Sequence, residues 1–151
     1  MKIIVTSDIH RNKKVVDEII YNYDGDIHLD CGDSELSNYE LKNFETVKGN
    51  CDYNNFPNYR IVKIDDYLNI FITHGHLYSL KQMIEKAKEN NCLIILYGHT
   101  HIKKHDIIEN IHIINPGSIT KPRSKDSNTF LQINYDGNIK EINFDFIKLG
   151  L

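Results

Sequence analysis

The chain has no surplus of positive charge: 18 Lys and Arg stand against 21 Asp and Glu, a formal charge of −3. Bulk electrostatic attraction to long nucleic acid or to an anionic membrane is therefore not expected. Cysteine is scarce and odd in number, with Cys31, Cys51 and Cys92 far apart. Isolated thiols of this kind argue against a secreted disulfide framework and for a reducing compartment. Long apolar runs are missing too. The N-terminal Ile3-Ile4-Val5 meets Asp8, His10 and Arg11 too soon for a signal-peptide core or a membrane span, so a cytoplasmic location is expected. Nor is there a Pro/Gly/Ser-rich linker, a low-complexity tract or an internal repeat. What is there is 151 residues, 40% hydrophobic and 26% charged, expected to form one domain over residues 1–151.

Apolar patterning gives the elements. Lys2–Ser7 and Ile27–Cys31 read as short buried strands, with a helix between them over Asn12–Tyr23, where Asn12 is placed to cap. Glu35–Glu45 is ambiguous, and Thr46–Lys48 is a brief strand. Tyr59–Ile64 and Tyr67–Thr73 form a hairpin, and Ser79–Asn90 is a helix capped by Ser79. Leu93–Tyr97 is a further buried strand. Ile107–Glu109 pairs with Ile111–Ile114, and Phe130–Tyr135 pairs with Ile139–Phe146 across Asp136-Gly137. Strand–helix alternation followed by antiparallel strands predicts an α/β sandwich of two sheets with helices outside.

Several strands run directly into polar residues. Asp8 and His10 follow the first, Asp33 the second, and Asn50 the brief third; His74 and His76 follow Thr73, and His99 and His101 follow Tyr97. In α/β folds ligands bind beyond the carboxyl ends of strands. A shared sheet edge would gather Asp8, His10, Asp33, Asn50, His74, His99 and His101. Taken singly, each has a plain structural reading as a turn residue, a cap or a hydrogen-bonded histidine. Together they form a mixed oxygen and imidazole set that suits Mn, Fe, Zn, Co or Ni. The set is too large for one tetrahedral zinc and sufficient for two ions sharing a carboxylate. Such a pair, about 3.5–4 Å apart, serves in-line displacement at phosphorus.

Asp8-x-His10, Gly32-Asp33, Gly49-Asn50, His74-Gly75 and Gly98-His99-Thr100-His101 stand in the order of the calcineurin-like metallophosphoesterase motifs. The chain resembles the small single-domain branch of that superfamily, related to bacterial phosphodiesterases and, in fold, to the eukaryotic retromer subunit. The resemblance implies a metallophosphoesterase-type sandwich of two mixed β-sheets flanked by helices. It implies two divalent transition-metal ions per chain, with Mn first and Ni, Zn, Fe or Co as alternatives. Asp8, His10 and His101 would hold one ion, Asn50, His74 and His99 the other, and Asp33 would bridge them. A hydroxide shared by both ions would attack the phosphorus of a small phosphate ester, nucleotide-like ones included.

One position departs from the pattern. The wider family usually carries histidine directly after the asparagine, whereas this chain has Cys51. A thiol with an ordinary pKa near about 8.5 is a poorer proton donor or acceptor at neutral pH than imidazole. Modest turnover or a preference for good leaving groups is expected, with His76 as the stand-in for proton transfer. The resemblance also implies that the Asn115-Pro116-Gly117-Ser118 turn lies near the site, which makes Ser118 and Arg123 candidate phosphate contacts. The alternative reading is a non-catalytic protein-binding scaffold of the same fold, and retention of a competent residue at every metal position argues against it. A homo-oligomer is compatible with the sequence.

Overall fold

β1 (Lys2–Thr6) pairs in parallel with β2 (Ile27–Asp30), joined through α1 (Lys13–Asn22), in a computed structural model that describes residues 1–123 and 127–149. The remaining elements are β3 (Glu45–Thr46), β4 (Tyr59–Lys63), β5 (Asn69–Thr73), α2 (Leu80–Glu89), β6 (Cys92–Leu96), β7 (Lys104–Ile108), β8 (Ile111–Asn115), β9 (Thr129–Asn134), a 3-10 turn (Ile139–Glu141) and β10 (Asn143–Lys148). Among the described residues they make two five-stranded sheets, ordered β10-β9-β1-β2-β3 and β4-β5-β6-β8-β7. Both are mixed, and the architecture is the α/β sandwich expected from the sequence.

Strand alternation explains how the layers stack. Ile3 and Val5 of β1 face the core between the sheets together with Ile70, Ile72, Ile94 and Leu96, while Ile4 points to the opposite face under α1. Phe71 and Ile95 likewise turn outward beneath Met83 and Ala87 of α2. Period-2 side chains buried on both faces are what parallel strands covered by helices require. Each helix start is fixed locally. The Asn12 side chain accepts from Val15 N, and Ser79 and Gln82 close a reciprocal capping box. Cys31 and Cys92 are free, buried side chains within this packing.

Some boundaries differ from the sequence reading. Ile139–Phe146 is not one strand: Asn138 accepts from Lys140 N and caps the 3-10 turn, so β10 begins only at Asn143. β7 begins at Lys104 and so takes in residues of low apolar content, held there by pairing with β8. Glu35–Glu45 forms turns, tied by Ser37 and Glu40 through reciprocal side-chain to backbone bonds, and leads into β3.

Parallel pairing has a functional consequence. β1, β2 and β3 run together in one sheet, and β5, β6 and β8 run together in the other. These strands lie in two sheets rather than in the single shared sheet of the sequence reading. The polar residues that follow the tips of both sets meet across the sandwich, Asp8 with His101 and Asp33 with His74.

Candidate metal centre

Asp8 follows β1 with its side chain fully buried, and its Oδ1 lies 3.2 Å from His101 Nε2, 3.7 Å from His10 Nε2 and 3.9 Å from His74 Nε2. None of these contacts has hydrogen-bond geometry, and Oδ1 is left without a partner. A buried carboxylate oxygen without a partner is costly, and imidazole nitrogens converging on it form a donor set that a divalent cation satisfies. The ligand atoms of Asp8, His10 and His101 all lie within 4.8 Å of one another, as do those of Asp8, Asp33 and His74.

Asp33 falls in two groupings, with Asp8 and His74 and with His10 and Cys51. Its Oδ2 is 3.2 Å from His74 Nε2, and its Oδ1 accepts the Cys51 amide at 2.8 Å. Burial alone would raise its pKa, yet the His74 and Cys51 hydrogen bonds and the His74 and His10 charges outweigh it and hold the carboxyl down at about 2. Asn50 Oδ1 lies 3.0 Å from His74 Nε2 and 3.1 Å from His99 Nδ1. The structure thus brings Asn50, His74 and His99 together. His74 is raised above the ordinary histidine value: burial opposes the shift, and the Asp33 and Asp8 carboxylates prevail. His101 is raised chiefly by Asp8.

The backbone here is strained. Asp8, His10, Asp33, His99 and His101 have φ between 47° and 74°, the left-handed region that side chains disfavour by roughly 1–2 kcal/mol each. Cross-loop bonds hold it: Asp8 N donates to Gly32 O, His10 N to Asp33 O, and Arg11 N to Ser34 O. Sequence reasoning missed the residues that brace these loops. Asp52 accepts from the amides of Asp33, Glu35 and Gly49 at 2.7–2.9 Å, clasping two loops with one carboxylate. Its position closing the Gly49-Asn50-Cys51-Asp52 turn was the available signal.

Asp30 is the other omission, an acid flanked by Leu29 and Cys31 in a buried strand. Its carboxylate accepts from the Thr6 and Thr46 hydroxyls at 2.8 and 2.7 Å and from Gly32 N at 3.1 Å. Burial dominates over these bonds and pushes its pKa up to about 7. The fold therefore holds this proton more tightly than the unfolded chain, so stability falls as pH rises from about 4 to about 7. Metal-free protein melted at pH 5 and pH 8 should show this fall, on the order of 2 kcal/mol from Asp30. Asp30→Asn, which cannot ionise, should remove that part. The raised His74 and His101 contribute a fall of the same sign, so the difference between wild type and variant is the quantity to read.

The remaining sequence candidates separate. Cys51 is half-buried beside the site; burial and then the Asp33, Glu35 and Asp52 charges push its thiol up, keeping it protonated at neutral pH. The His76 ring packs edge-on against His74 at 5.4 Å and tilted against His99 at 6.2 Å, with Nδ1 buried and unpartnered. Ser118 is a correction. It is fully buried, its hydroxyl donates to Asp8 O and accepts from Thr120 and Lys121 amides, and it serves the loop rather than facing a ligand. Arg123 is exposed, with its amide on His101 O. His105 and His112 pair with each other at 2.9 Å against Phe144 and take no part in the site.

Residues 1–138 match the calcineurin-like phosphoesterase superfamily domain. The probable metallophosphoesterase YsnB of Bacillus subtilis is 28% identical over 95% of this chain and 90% of its own length. The phosphodiesterase MJ0936 of Methanocaldococcus jannaschii is 29% identical over 78% of this chain and 83% of its own. A predicted phosphoesterase of Streptococcus pneumoniae superposes with a TM-score of 0.87 at 29% identity, covering 97% of this chain and 88% of its own. Vps29 of Entamoeba histolytica, at 16% identity and a TM-score of 0.74 over 99% of this chain and all of its own, shares the fold. Among the described residues no helix is long and apolar enough to cross a membrane. With the superfamily match spanning nearly the whole chain and the strand-end residues gathered at one edge, this protein belongs to the calcineurin-like phosphoesterases.

Proposed function

We propose that the chain is a cytoplasmic, single-domain phosphodiesterase that uses two divalent metal ions on a small phosphate ester. The observation that carries this reading is the unpartnered buried Asp8 Oδ1 among the nitrogens of His10, His74 and His101. Asp8, His10 and His101 would hold one ion and Asn50, His74 and His99 the other, with Asp33 common to both. When bound, such a pair lowers the pKa of water toward neutrality and offsets the charge that grows at phosphorus. The chain's own residues do the rest. The strained loops hold the ligands in register, Asn50 offers a neutral oxygen beside its exposed amide, and Arg123 is free to meet a substrate oxyanion from the rim.

The test is elemental analysis of the purified protein together with hydrolysis of bis(p-nitrophenyl) phosphate with and without added Mn2+. Close to two metals per chain and Mn-stimulated turnover are expected. Neither signal would overturn the reading and favour the protein-binding scaffold, whose fold Vps29 shares.

Proton delivery to the leaving group is assigned to His76, whose ring lies against His74 and His99. Burial and then those two charges hold it below the ordinary histidine value, so its protonated form grows as pH falls, whereas the Cys51 thiol is pushed up, away from neutrality. His76→Ala should slow hydrolysis of a diester with an alkyl leaving group by about 10²-fold or more, the usual contribution of a positioned acid. The nitrophenyl diester, which leaves unaided, should be hydrolysed as before. Equal rates on both substrates in wild type and variant would remove His76 from the mechanism.

A further inference from the structure

We propose that Glu35 is a positioning residue for His10 and makes the Asp8–His10–His101 position the tighter of the two metal sites; this rests on the two-ion reading above. Glu35 Oε2 lies 3.1 Å from His10 Nδ1, and its Oε1 accepts from the Arg11 guanidinium at 3.2 Å. The Glu35 side chain is only 12% exposed, whereas that of Arg11 is 76% exposed. Glu35 itself is held in place. Its φ is 53°, and its amide is fixed by Asp52 Oδ1 at 2.8 Å. The Arg11 N to Ser34 O bond lays the two loops side by side, so His10 and Glu35 meet by construction.

A carboxylate on Nδ1 fixes the ring's orientation and keeps the proton on that nitrogen, leaving Nε2 as the lone pair aimed at Asp8 and His101. The other ring partners are weaker. His74 Nδ1 lies on Cys31 O at 2.8 Å and His101 Nδ1 on Lys121 O at 2.7 Å, both neutral carbonyls. The carboxylates are also distributed unevenly. The first position has Asp8, whose Oδ1 lies nearer His101 at 3.2 Å than His74 at 3.9 Å, a share of Asp33, and Glu35 behind His10. The second has a share of Asp33 and the neutral Asn50. More negative charge and an imidazole locked in its ligating orientation on one side favour filling that side first.

Calorimetric titration of Mn2+ into metal-free protein separates the two sites. Wild type should show a tighter and a weaker site. Glu35→Ala should weaken the tighter one by about 10–100-fold, the usual effect of removing such a partner, and leave the weaker one unchanged. Glu35→Gln keeps an acceptor oxygen without the charge and should fall between, while Arg11→Ala should keep two distinct sites. A melt of each metal-free variant checks folding. Equal loss at both sites, or none at either, overturns the inference alone. A wild-type chain that takes up no Mn2+ overturns the proposed function as well.

Discussion

Asp33→Asn is expected to strip the chain of most of its bound metal and to lower diester hydrolysis by at least about 10²-fold, the cost of one well-aimed electrostatic contact. Asp33 falls in two groupings of ligand atoms within 4.8 Å of one another, one with Asp8 and His74 and one with His10 and Cys51. Its carboxylate is the single charge both ions would share. An amide keeps the shape but removes that charge, leaving Asp8 as the sole ligating anion for two dications. The depressed pKa of about 2 adds a second effect. A carboxylate held below its unfolded value stabilises the fold above about pH 4 and loses that contribution as pH falls through about 2. The neutral variant lacks it at pH 7, so metal-free Asp33→Asn should melt lower, by about 1 kcal/mol after allowance for solvent screening. Asn50→Ala is the contrasting variant: it removes a neutral donor from one side and should weaken mainly that site. Elemental analysis after desalting decides between them. Two metals per chain in Asp33→Asn would remove Asp33 from the shared position.

What was legible in the sequence were the places where an apolar strand stops and a polar residue must be accommodated. Asp8, Asp33, His74 and His99 each have a turn or hydrogen-bonding reading alone; it is their recurrence at successive strand ends that marks them. The sheets were legible for the same reason, since β1, β5 and β6 alternate between two buried faces. The bracing carboxylates were not. Asp52, Glu35 and Asp30 act on backbone amides, a ring nitrogen and hydroxyls that come near only after folding. A carboxylate serving such groups has no periodicity and no fixed spacing from its partners. Ser118 misled for a related reason. An exposed Ser in a turn and a buried Ser bonded to Asp8 O look alike until the loop is placed. The break before β10 was hidden because Ile139 and Ile142 continue an apolar pattern while Asn138 turns the backbone.

Gly49→Ala carries the second large effect, and its cause is steric rather than electrostatic. A Cβ at this position would lie 2.1 Å from Asp33 Oδ1, 2.8 Å from Asp33 Cγ and 2.5 Å from Asp33 N. The side-chain atoms could swing aside; the amide cannot, because it is bonded to Asp52 Oδ2, as is the Gly49 amide itself. Relief therefore means moving one loop off the other and breaking the clasp. At Gly98 the conflicts are with side-chain ends only, the Ser7 hydroxyl and Asp8 Oδ2, so Gly98→Ala leaves the backbone clasp in place and acts through the loss of the Ser7–Asp8 hydrogen bond. Forced overpacking costs about 1–3 kcal/mol where neighbours can yield, and Gly49→Ala belongs at or beyond the upper end. Metal uptake should fall with it, because displacing Asp33 removes the shared carboxylate as surely as Asp33→Asn does. A Gly49→Ala protein that melts and binds Mn2+ like wild type would show that the two loops can part without cost, and the rigid two-loop frame on which the metal centre depends would have to be abandoned.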